Sequence, residues 1–395
     1  MEWRRKRIKY ICGLLPLLLL TGCWSSVELN DRAFVRMVVL DKTKSGLELS
    51  LDFTLPSRLI PGSAGGGGGE QTGKPYTYIS NTGNDISDAF RKIQSDLSRK
   101  ISFGQTRVIV IGRQLAEEGF ESILDFFARE PTMHMNAYLF VTPGKARDIE
   151  STSAIMERFP TDILVGYANS HVTVDSTIKD FLTGGDIIVA MLKFGKTKIE
   201  SEKEKEQLWM GTSGAAIFKQ GKMVDTLNTG EMRGGLWILG KMKDAEISVS
   251  SPTDGKDVSF MVKRAQTHII PKVREDQIEI LIQCKAEAEV LSSSSNINLL
   301  ESKQLEKLGQ SLDMEVNKRM TSAIDKTKKV QSDPFRFGEY IDWNYPVKWN
   351  SMKPRWRDLY SSIKIETETN ITIKQIGTYL NHVHVTTDSL NEVAQ

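Results

Sequence analysis

The chain has 395 residues and a formal net charge of +2, because 52 basic residues nearly balance 50 acidic ones, and 39% of its residues are hydrophobic. Charges of both signs are interspersed, which argues against a nucleic-acid-binding protein, since such a protein carries a basic face. The length allows two or three domains.

The first 22 residues have the layout of an export signal. A cluster of five cations precedes an apolar run from Tyr10 to Leu20. The run is too short for a membrane-spanning helix, which needs about 20 residues, and Pro16 within it disfavours a long helix. Removing these 22 residues takes away a net charge of +4, so the remaining chain carries about −2.

The end of the apolar run, Leu20-Thr21-Gly22-Cys23, resembles the lipobox of bacterial lipoproteins. The resemblance implies cleavage between Gly22 and Cys23 and a thioether-linked diacylglyceryl group, carrying chains such as palmitate, on Cys23, with N-acylation of the same residue as an option. We therefore expect a lipid anchor and a body folded outside the cytoplasm. Three alternatives stay open here: an uncleaved anchor helix, a basic nucleic-acid-binding tail and an ordinary buried cysteine.

The cysteines are Cys12, Cys23 and Cys284. Cys12 leaves with the signal and Cys23 carries lipid, so Cys284 has no partner for an intramolecular disulfide. An exported chain of this size without disulfides is typical of a Gram-positive envelope rather than of a disulfide-stapled extracellular module. Cys284 lies in a strand-like pattern, which predicts a buried, inert thiol.

The first half of the chain predicts an α+β unit. Phe34–Leu40 and the alternating residues Leu47–Phe53 flank a turn at residues 41–46, which predicts a β-hairpin. A glycine-rich loop around Gly65–Gly69 follows. Beyond it, the pattern predicts strands at residues 76–80, 107–111 and 137–141, a helix over residues 86–97 capped by Asn84 or Asp85, and a helix over residues 115–129 that stops at Pro131.

Residues 196–207 are hydrophilic and dense in charge, which is typical of a solvated connection between domains. We place the main boundary there. Residues 1–22 are then the lipoprotein signal peptide, residues 23–200 an N-terminal α+β domain, and residues 208–395 a C-terminal α+β domain.

The second half predicts a sheet covered by one long helix. Residues 214–224 form two short strands around a Gln220-Gly221 turn, and Ile278–Val290 alternate as a long strand with one polar face. Residues 305–324 carry apolar side chains every three or four positions, as in an amphipathic helix of about 25 residues, and residues 363–374 alternate as a last strand. We expect an antiparallel sheet under that helix. The whole chain is predicted to be α+β and multidomain, with mixed and antiparallel sheets and helices packed on one face.

No motif predicts catalysis or a metal site. Gly68-x-x-x-x-Gly73-Lys74 begins like a phosphate-binding loop, but Pro75 follows, and neither a strand nor a helix flanks it. His382 and His384 could share a strand face, yet no cysteine or carboxylate cluster completes a zinc site. We expect no enzyme activity and no cofactor other than the lipid on Cys23.

Three tryptophans, Trp343, Trp349 and Trp356, cluster late in the chain. Packing over the edge of the sheet is one interpretation. The other is contact with a partner protein or a membrane surface, because aromatic residues are enriched in such contacts. All three are therefore candidate contact residues.

Three groups of sequence segments, taken in chain order, form one pattern. They are the mature start Gly22–Asp31, the stretch Gly211–Val224 with Glu231 and Gly234–Trp237 after it, and Asp333–Gly338 followed by Trp349 and Trp356. In this order they resemble the C-subunit lipoproteins of bacterial spore germinant receptors, the Ger(x)C family, over essentially the whole mature chain. The sequence departs from the family pattern after Asp180-Phe181-Leu182, where no proline ends the segment, and in the Gly65–Gly69 run.

The resemblance implies a non-enzymatic α+β subunit of a nutrient germinant receptor that is needed for spore germination. Its lipid would hold it on the outer face of the spore inner membrane, beside two integral-membrane subunits, one of them permease-like. The main alternative is a solute-binding lipoprotein of a membrane transporter, which predicts two doubly wound lobes. An envelope hydrolase is the remaining alternative, and the sequence has no nucleophile motif for it.

Overall fold

A computed structural model describes residues 28–58, 73–152, 154, 156–198, 206–274 and 277–375. Several predicted features lie outside these ranges and stay predictions: the signal peptide with Cys12, the lipidation residue Cys23 with its cleavage site after Gly22, the Gly65–Gly69 run, and the pair His382 and His384. The described residues form two sheets with packed helices, which confirms the α+β class.

Nine strands among the described residues form a large sheet, in the order β3-β2-β1-β5-β6-β7-β8-β9 with β4 beside β1. The strands are β1 (Arg32–Thr43), β2 (Gly46–Thr54), β3 (Tyr76–Gly83), β4 (Lys100–Ser102), β5 (Val108–Ile111), β6 (Tyr138–Val141), β7 (Ile187–Lys198), β8 (Glu206–Lys219) and β9 (Lys222–Leu227). The central strands β1, β5, β6 and β7 are parallel, and both ends of the sheet are antiparallel. The predicted hairpin is confirmed, because Thr43 pairs with Gly46 across the turn.

Helices lie on both faces of the large sheet. Those of the first part of the chain are α1 (Ile86–Ser95), α2 (Arg113–Glu118), α3 (Glu121–Arg129), α4 (Pro160–Asn169), α5 (Ile178–Gly184) and α6 (Thr229–Ile238). One core joins α1, α2, α3 and α5 to one face of the sheet. Asp85 caps α1, as predicted, by accepting a hydrogen bond from the N–H of Asp88. The predicted helix over residues 115–129 is two helices, because Gly119 takes a φ of +100° between them.

A small sheet has the order β10-β11-β12-β13. Its strands are β10 (Ala245–Ser250), β11 (Asp257–Arg274), β12 (Gln277–Ser293) and β13 (Lys364–Gln375). The first three strands are antiparallel, but β13 runs parallel to β12, so the prediction of an antiparallel sheet is wrong at this strand. The reason is the helical connection between β12 and β13, since a crossover through helices returns the chain in the same direction.

That connection contains the remaining helices and builds a second core. They are α7 (Ser302–Lys329), α8 (Phe337–Asn344), α9 (Pro346–Met352) and α10 (Trp356–Ser362). As predicted, α7 covers the apolar face of the small sheet, and Met320 Sδ lies 3.6 Å from the thiol of Cys284. On its other side α7 meets α6 at Gly234, where a Cβ would lie 2.2 Å from the carbonyl oxygen of Arg319. Only glycine permits this approach of two backbones.

The predicted boundary near residue 200 lies within the large sheet. β7 and β8 are neighbouring antiparallel strands, and their pairing extends to Lys198 and Glu206. The second core contains residues of the large sheet, such as Phe140 and Ile188, together with Ile280 of the small sheet. A division of the chain at residues 200–208 stays a prediction, but both parts share a sheet and a core.

Candidate functional site

The segment Asp333–Gly338 joins α7 to α8 and forms the centre of the candidate site. Phe335 and Phe337 are fully buried in the second core, and the chain turns at Arg336, which has a φ of 60°. The buried carboxylate of Asp333 accepts hydrogen bonds from the N–H groups of Phe337 (3.0 Å) and Gly338 (2.9 Å). Both groups lie in the first turn of α8, where no intrahelical acceptor exists, so Asp333 caps the helix.

The same carboxylate holds the indole of Trp356, whose Nε1–H donates to Asp333 Oδ2 at 2.9 Å. Trp356 packs edge-to-face on Trp349, with ring centroids 5.2 Å apart. Gly338 lies against both rings, because a Cβ there would be 2.6 Å from Trp349 and 2.9 Å from the Trp356 nitrogen. Glycine is therefore required for the two tryptophans to close over the start of α8.

Asp186 immediately precedes β7 and connects the large sheet to this helical segment. Its Oδ2 accepts a hydrogen bond from the N–H of Asp333 at 3.1 Å. Its Oδ1 accepts one from the N–H of Gln220 in the β8–β9 turn at 3.2 Å and forms an ion pair with Arg357 Nη2 of α10 at 3.3 Å. One carboxylate thus joins three parts of the chain. We call the following residues the Asp333 junction: Asp186, Asp333, Gly338, Trp356 and Arg357.

Three further hydrogen bonds beside the junction join the end of β8 to the residues that follow α7. The hydroxyl of Ser332 donates to the carbonyl oxygen of Phe218 at 2.7 Å. The ammonium group of Lys219 donates to the carbonyl oxygen of Val330 at 3.1 Å and to the side chain of Gln331 at 3.3 Å. The large sheet and the C-terminal helices are therefore held together by side-chain hydrogen bonds as well as by the shared core.

The electrostatics of the junction fit a structural role. Burial raises the pKa of Asp333 to about 6, hydrogen bonds from Gly338, Phe337 and Trp356 oppose the rise, and the nearby carboxylate of Asp186 adds to it. Burying a carboxylate costs free energy unless donors satisfy it. Because protein donors already surround the Asp333 carboxylate, it is suited to holding chain segments together rather than to acting as a general base.

The structure separates the three candidate tryptophans. Trp349 is buried, and Trp356 is half-buried with its nitrogen bonded to Asp333. Trp343 is 68% exposed and packs edge-to-face on Tyr340, with ring centroids 5.1 Å apart. The positions of Trp349 and Trp356 fit the packing interpretation, since Trp349 packs on Gly338 and Trp356 of the junction. A contact role stays a prediction, and Trp343 is the most exposed of the three candidates.

The described residues contain no group of three or more His, Cys, Asp or Glu that could hold a metal ion. Over the same ranges, none of the helices combines the length and apolar character needed to span a membrane. Cys284 is buried, as predicted, and burial raises the pKa of its thiol. A thiol with a raised pKa stays protonated and is a poor nucleophile.

Four junction residues were not predicted from the sequence as site residues: Asp186, Asp333, Gly338 and Arg357. Asp186 stood out only where the sequence departs from the family pattern, and Gly338 only as the end of a family segment. The available signal was the Asp333-Pro334 pair directly after a long amphipathic helix, because aspartate before proline favours a turn. That signal indicates the turn but not the partners of its carboxylate.

Two family models match the chain. The model described as "Spore germination protein N-terminal domain" matches residues 25–193, and "Spore germination B3/ GerAC like, C-terminal" matches residues 213–377. Spore germination protein KC of Bacillus subtilis strain 168 is 26% identical over 394 residues, which cover 94% of this chain and 96% of KC. Spore germination protein B3 of the same strain is 23% identical over 389 residues, which cover 94% of this chain and 98% of B3.

The fold is also found in a solved structure, that of the GerBC protein. It has a TM-score of 0.53 and 19% sequence identity to this chain, and the match covers 86% of this chain and 98% of GerBC. The two family models match consecutive parts of the chain in the order N-terminal, C-terminal, and the curated relatives extend over both parts. The chain therefore belongs to the Ger(x)C, or GerAC-like, family of spore germinant-receptor C subunits.

Proposed function

We propose that this chain is a lipid-anchored, non-catalytic subunit of a nutrient germinant receptor and that it assembles with two integral-membrane subunits, one of them permease-like. In this proposal it lies on the outer face of the spore inner membrane, with the diacylglyceryl group on Cys23. Family membership supports the germination role, and the lipobox-like sequence that ends at Cys23 supports the anchor.

The observation that carries the proposal is the extent of the match. KC and B3 are covered over 96% and 98% of their lengths, so the likeness concerns the whole body of the protein. The structure adds that the two matched segments share one core and are connected through Asp186 and Asp333. A body connected in this way can hold contacts with several partners in a fixed arrangement, which suits a receptor subunit.

The alternative of a solute-binding lipoprotein predicts two doubly wound lobes with a ligand cleft between them. The described residues instead form one large mixed sheet that shares its second core with the small sheet. This arrangement gives the alternative no support, and the receptor subunit remains the function that the fold favours.

Co-purification from spores tests the proposal. A tagged copy of the chain, extracted with detergent, should retain both integral-membrane subunits, and spores that lack the chain should lose the response to the nutrient. A tagged, unrelated lipoprotein of the same membrane is the matched control for non-specific recovery. Recovery of neither membrane subunit, or normal nutrient germination without the chain, would overturn the proposal.

The anchor has a test of its own. Cys23→Ala should abolish labelling with fatty acid, because it removes the thiol that carries the two acyl chains of the proposed anchor. Cys284→Ala removes the buried cysteine and is the matched control, which should keep the label. Labelling of the Cys23→Ala variant would show that the lipidation site is assigned wrongly.

A further inference from the structure

A cavity of about 620 Å³ lies at the start of β1. Its walls come from the start of β1, the end of β2, the strand β3, residues 97–99 after α1, and Phe159, the residue before α4. It shares no lining residue with the Asp333 junction. Cavities of about 300–1,000 Å³ have the size of sites for small ligands in proteins.

Much of the cavity wall is apolar. Phe53 and Phe159 are buried, whereas the other apolar side chains of the wall are half-buried. Those half-buried side chains belong to Phe34, Leu55, Ile79 and Leu97. An apolar group that enters the cavity would remove this surface from water, which favours its binding.

The charged residues of the wall are all arginines. They are Arg32, Arg36 and Arg99, and none of the described residues that line the cavity is acidic. The guanidinium of Arg36 lies 3.8 Å from the centroid of the Phe159 ring and forms an ion pair with Asp162. Arg99 is exposed, and its guanidinium forms no ion pair within the described part of the chain. Arg99 is therefore a cation available to an anion in the cavity.

Carboxylates close to the wall do not cancel its positive charge. Asp162 offsets Arg36, and Asp31 and Asp96 are exposed residues that adjoin lining residues in the chain. Asp52, next to Phe53, is fully buried, and burial raises its pKa to about 7, so at pH 6 most molecules hold it uncharged. Further cations also adjoin lining residues: Arg58, Lys100 and Arg158.

Two lining residues contain polar atoms without a partner. The Nε–H of Arg36 and the hydroxyl of Thr54 are buried, and neither has a hydrogen-bond partner among the described residues. Buried polar groups in proteins are ordinarily paired. A ligand that brings oxygen atoms to this part of the wall supplies the acceptors that both donors lack.

We propose that this cavity binds an amphiphilic organic anion, with its carboxylate or phosphate beside the arginines and its aliphatic chain along the apolar wall. Guanidinium groups bind both anions through paired hydrogen bonds. A free amino acid is disfavoured, because its ammonium group would meet no acidic lining residue. A free fatty acid and an anionic phospholipid are the two sources of this chemistry.

The position of the cavity suits a ligand that comes from the membrane. Arg32 follows Cys23 by nine residues, which span at most about 30 Å when fully extended. With Cys23 lipidated, the cavity would lie within that distance of membrane lipids. Only this step rests on the proposed anchor, and a lipid bound in the cavity would be a second link between the body and the membrane.

Calorimetric titration with soluble amphiphiles tests the inference. The protein is the chain from residue 23 onward with Cys23→Ser, so that no attached acyl chain competes for the cavity, and the pH is 6. Octanoate and decanoate, both kept below their micelle concentrations, should bind. Decanoate should bind about fifteenfold more tightly, because each buried methylene strengthens binding about fourfold. Octanol, which has the chain but no charge, should bind at least about tenfold more weakly than octanoate.

A second titration distinguishes the two sources of the ligand. Dioctanoyl phosphatidylglycerol presents the anionic head group of a phospholipid on short, soluble chains. Binding tighter than that of decanoate would identify a phospholipid as the ligand, and the reverse order would identify a free fatty acid. Either order supports the cavity as a site for an amphiphilic anion.

Two substitutions change the cavity wall. Arg99→Gln removes the exposed cation and should weaken decanoate binding about fivefold. Thr77→Glu places a carboxylate in the wall and should weaken it at least about tenfold, because like charges repel. The matched controls are Arg274→Gln, at an exposed arginine of β11, and Thr82→Glu, on the opposite face of β3 from Thr77. Both controls should bind decanoate within about twofold of the unsubstituted chain, and thermal unfolding without ligand establishes that each variant is folded.

Three outcomes would overturn the inference. The first is that neither decanoate nor dioctanoyl phosphatidylglycerol binds. The second is equal affinity for octanol and octanoate, since the arginines would then contribute nothing. The third is that the control variants lose as much binding as Arg99→Gln and Thr77→Glu. Because the titrations use neither spores, nor membrane subunits, nor a lipidated chain, their failure is distinguishable from a failure of the germination role or of the anchor.

Discussion

The main-chain N–H of Asp333 donates a hydrogen bond to Asp186 Oδ2 at 3.1 Å, across 147 positions of sequence. This bond connects the residue before β7 to the segment that caps α8. Asp186 accepts at its other oxygen from the β8–β9 turn and pairs with Arg357. The large sheet and the C-terminal helices are therefore connected through two aspartates, Asp333, which is buried, and Asp186, which is partly exposed.

Asp333→Asn should lower the free energy of unfolding by about 1–3 kcal/mol. Asparagine preserves the shape but replaces one acceptor oxygen by an NH2 donor, so at least one of the three N–H groups from Phe337, Gly338 and Trp356 is left unpaired. Urea unfolding measures the loss. Asp358→Asn, at an exposed position of α10, is the control, and equal stability of the two variants would contradict the role of the junction.

Gly234→Ala should destabilise the fold by about 1–3 kcal/mol or more, because the new Cβ would lie 2.2 Å from a main-chain oxygen of α7 that cannot move away alone. Gly166→Ala in α4 is the matched control. No atom lies within 4 Å of its new Cβ, so helix propensity should raise the stability by up to about 1 kcal/mol. Thermal unfolding of both variants checks the prediction, which fails if Gly234→Ala melts at or above the wild-type temperature.

Two tryptophan substitutions should separate packing from contact. Trp349→Ala removes a buried ring that packs on Trp356 and Gly338, and it should cost about 3–5 kcal/mol of unfolding free energy. Trp343→Ala removes an exposed ring and should change stability by no more than about 0.5 kcal/mol. Chemical denaturation distinguishes the two. Similar losses for both variants would mean that Trp343 is a packing residue.

A pH dependence of stability should arise from Asp52, which is fully buried in β2. Burial raises its pKa from 3.8 to about 7, while a hydrogen bond from Thr161 and the charge of Arg36 oppose the rise and Asp162 adds to it. The folded chain keeps this proton up to about pH 7, whereas the unfolded chain loses it near its ordinary pKa. The free energy of unfolding should therefore fall as the pH rises from about 4 to about 7, by at most about 4 kcal/mol from this group.

Urea unfolding across that pH range checks the Asp52 prediction. Asp52→Asn cannot ionise, so its stability relative to the wild type should increase steadily from pH 4 to pH 7. Asp257→Asn, at an exposed position that begins β11, should show no such trend. A constant difference between Asp52→Asn and the wild type would mean that Asp52 does not keep its proton in the folded chain.

The local elements were largely predictable from residue patterns. Alternation predicted the β1–β2 hairpin and the long strand β12, and apolar spacing predicted α7. Each pattern is local, because neighbouring side chains in a strand or helix repeat at a fixed period. The split at Gly119 was missed, since one glycine inside an apolar pattern does not by itself reveal a positive φ.

What the sequence alone determined is the family and which face of each long strand and helix is apolar. The export signal over residues 1–22 stays a prediction. Periodicity shows that a face is buried but not what buries it. Only the tertiary structure decided that β13 is parallel to β12, that Trp349 is buried while Trp343 is exposed, and that Asp333 meets Asp186. These relationships join residues far apart in the chain through packing and single hydrogen bonds, which leave no periodic signal in the sequence.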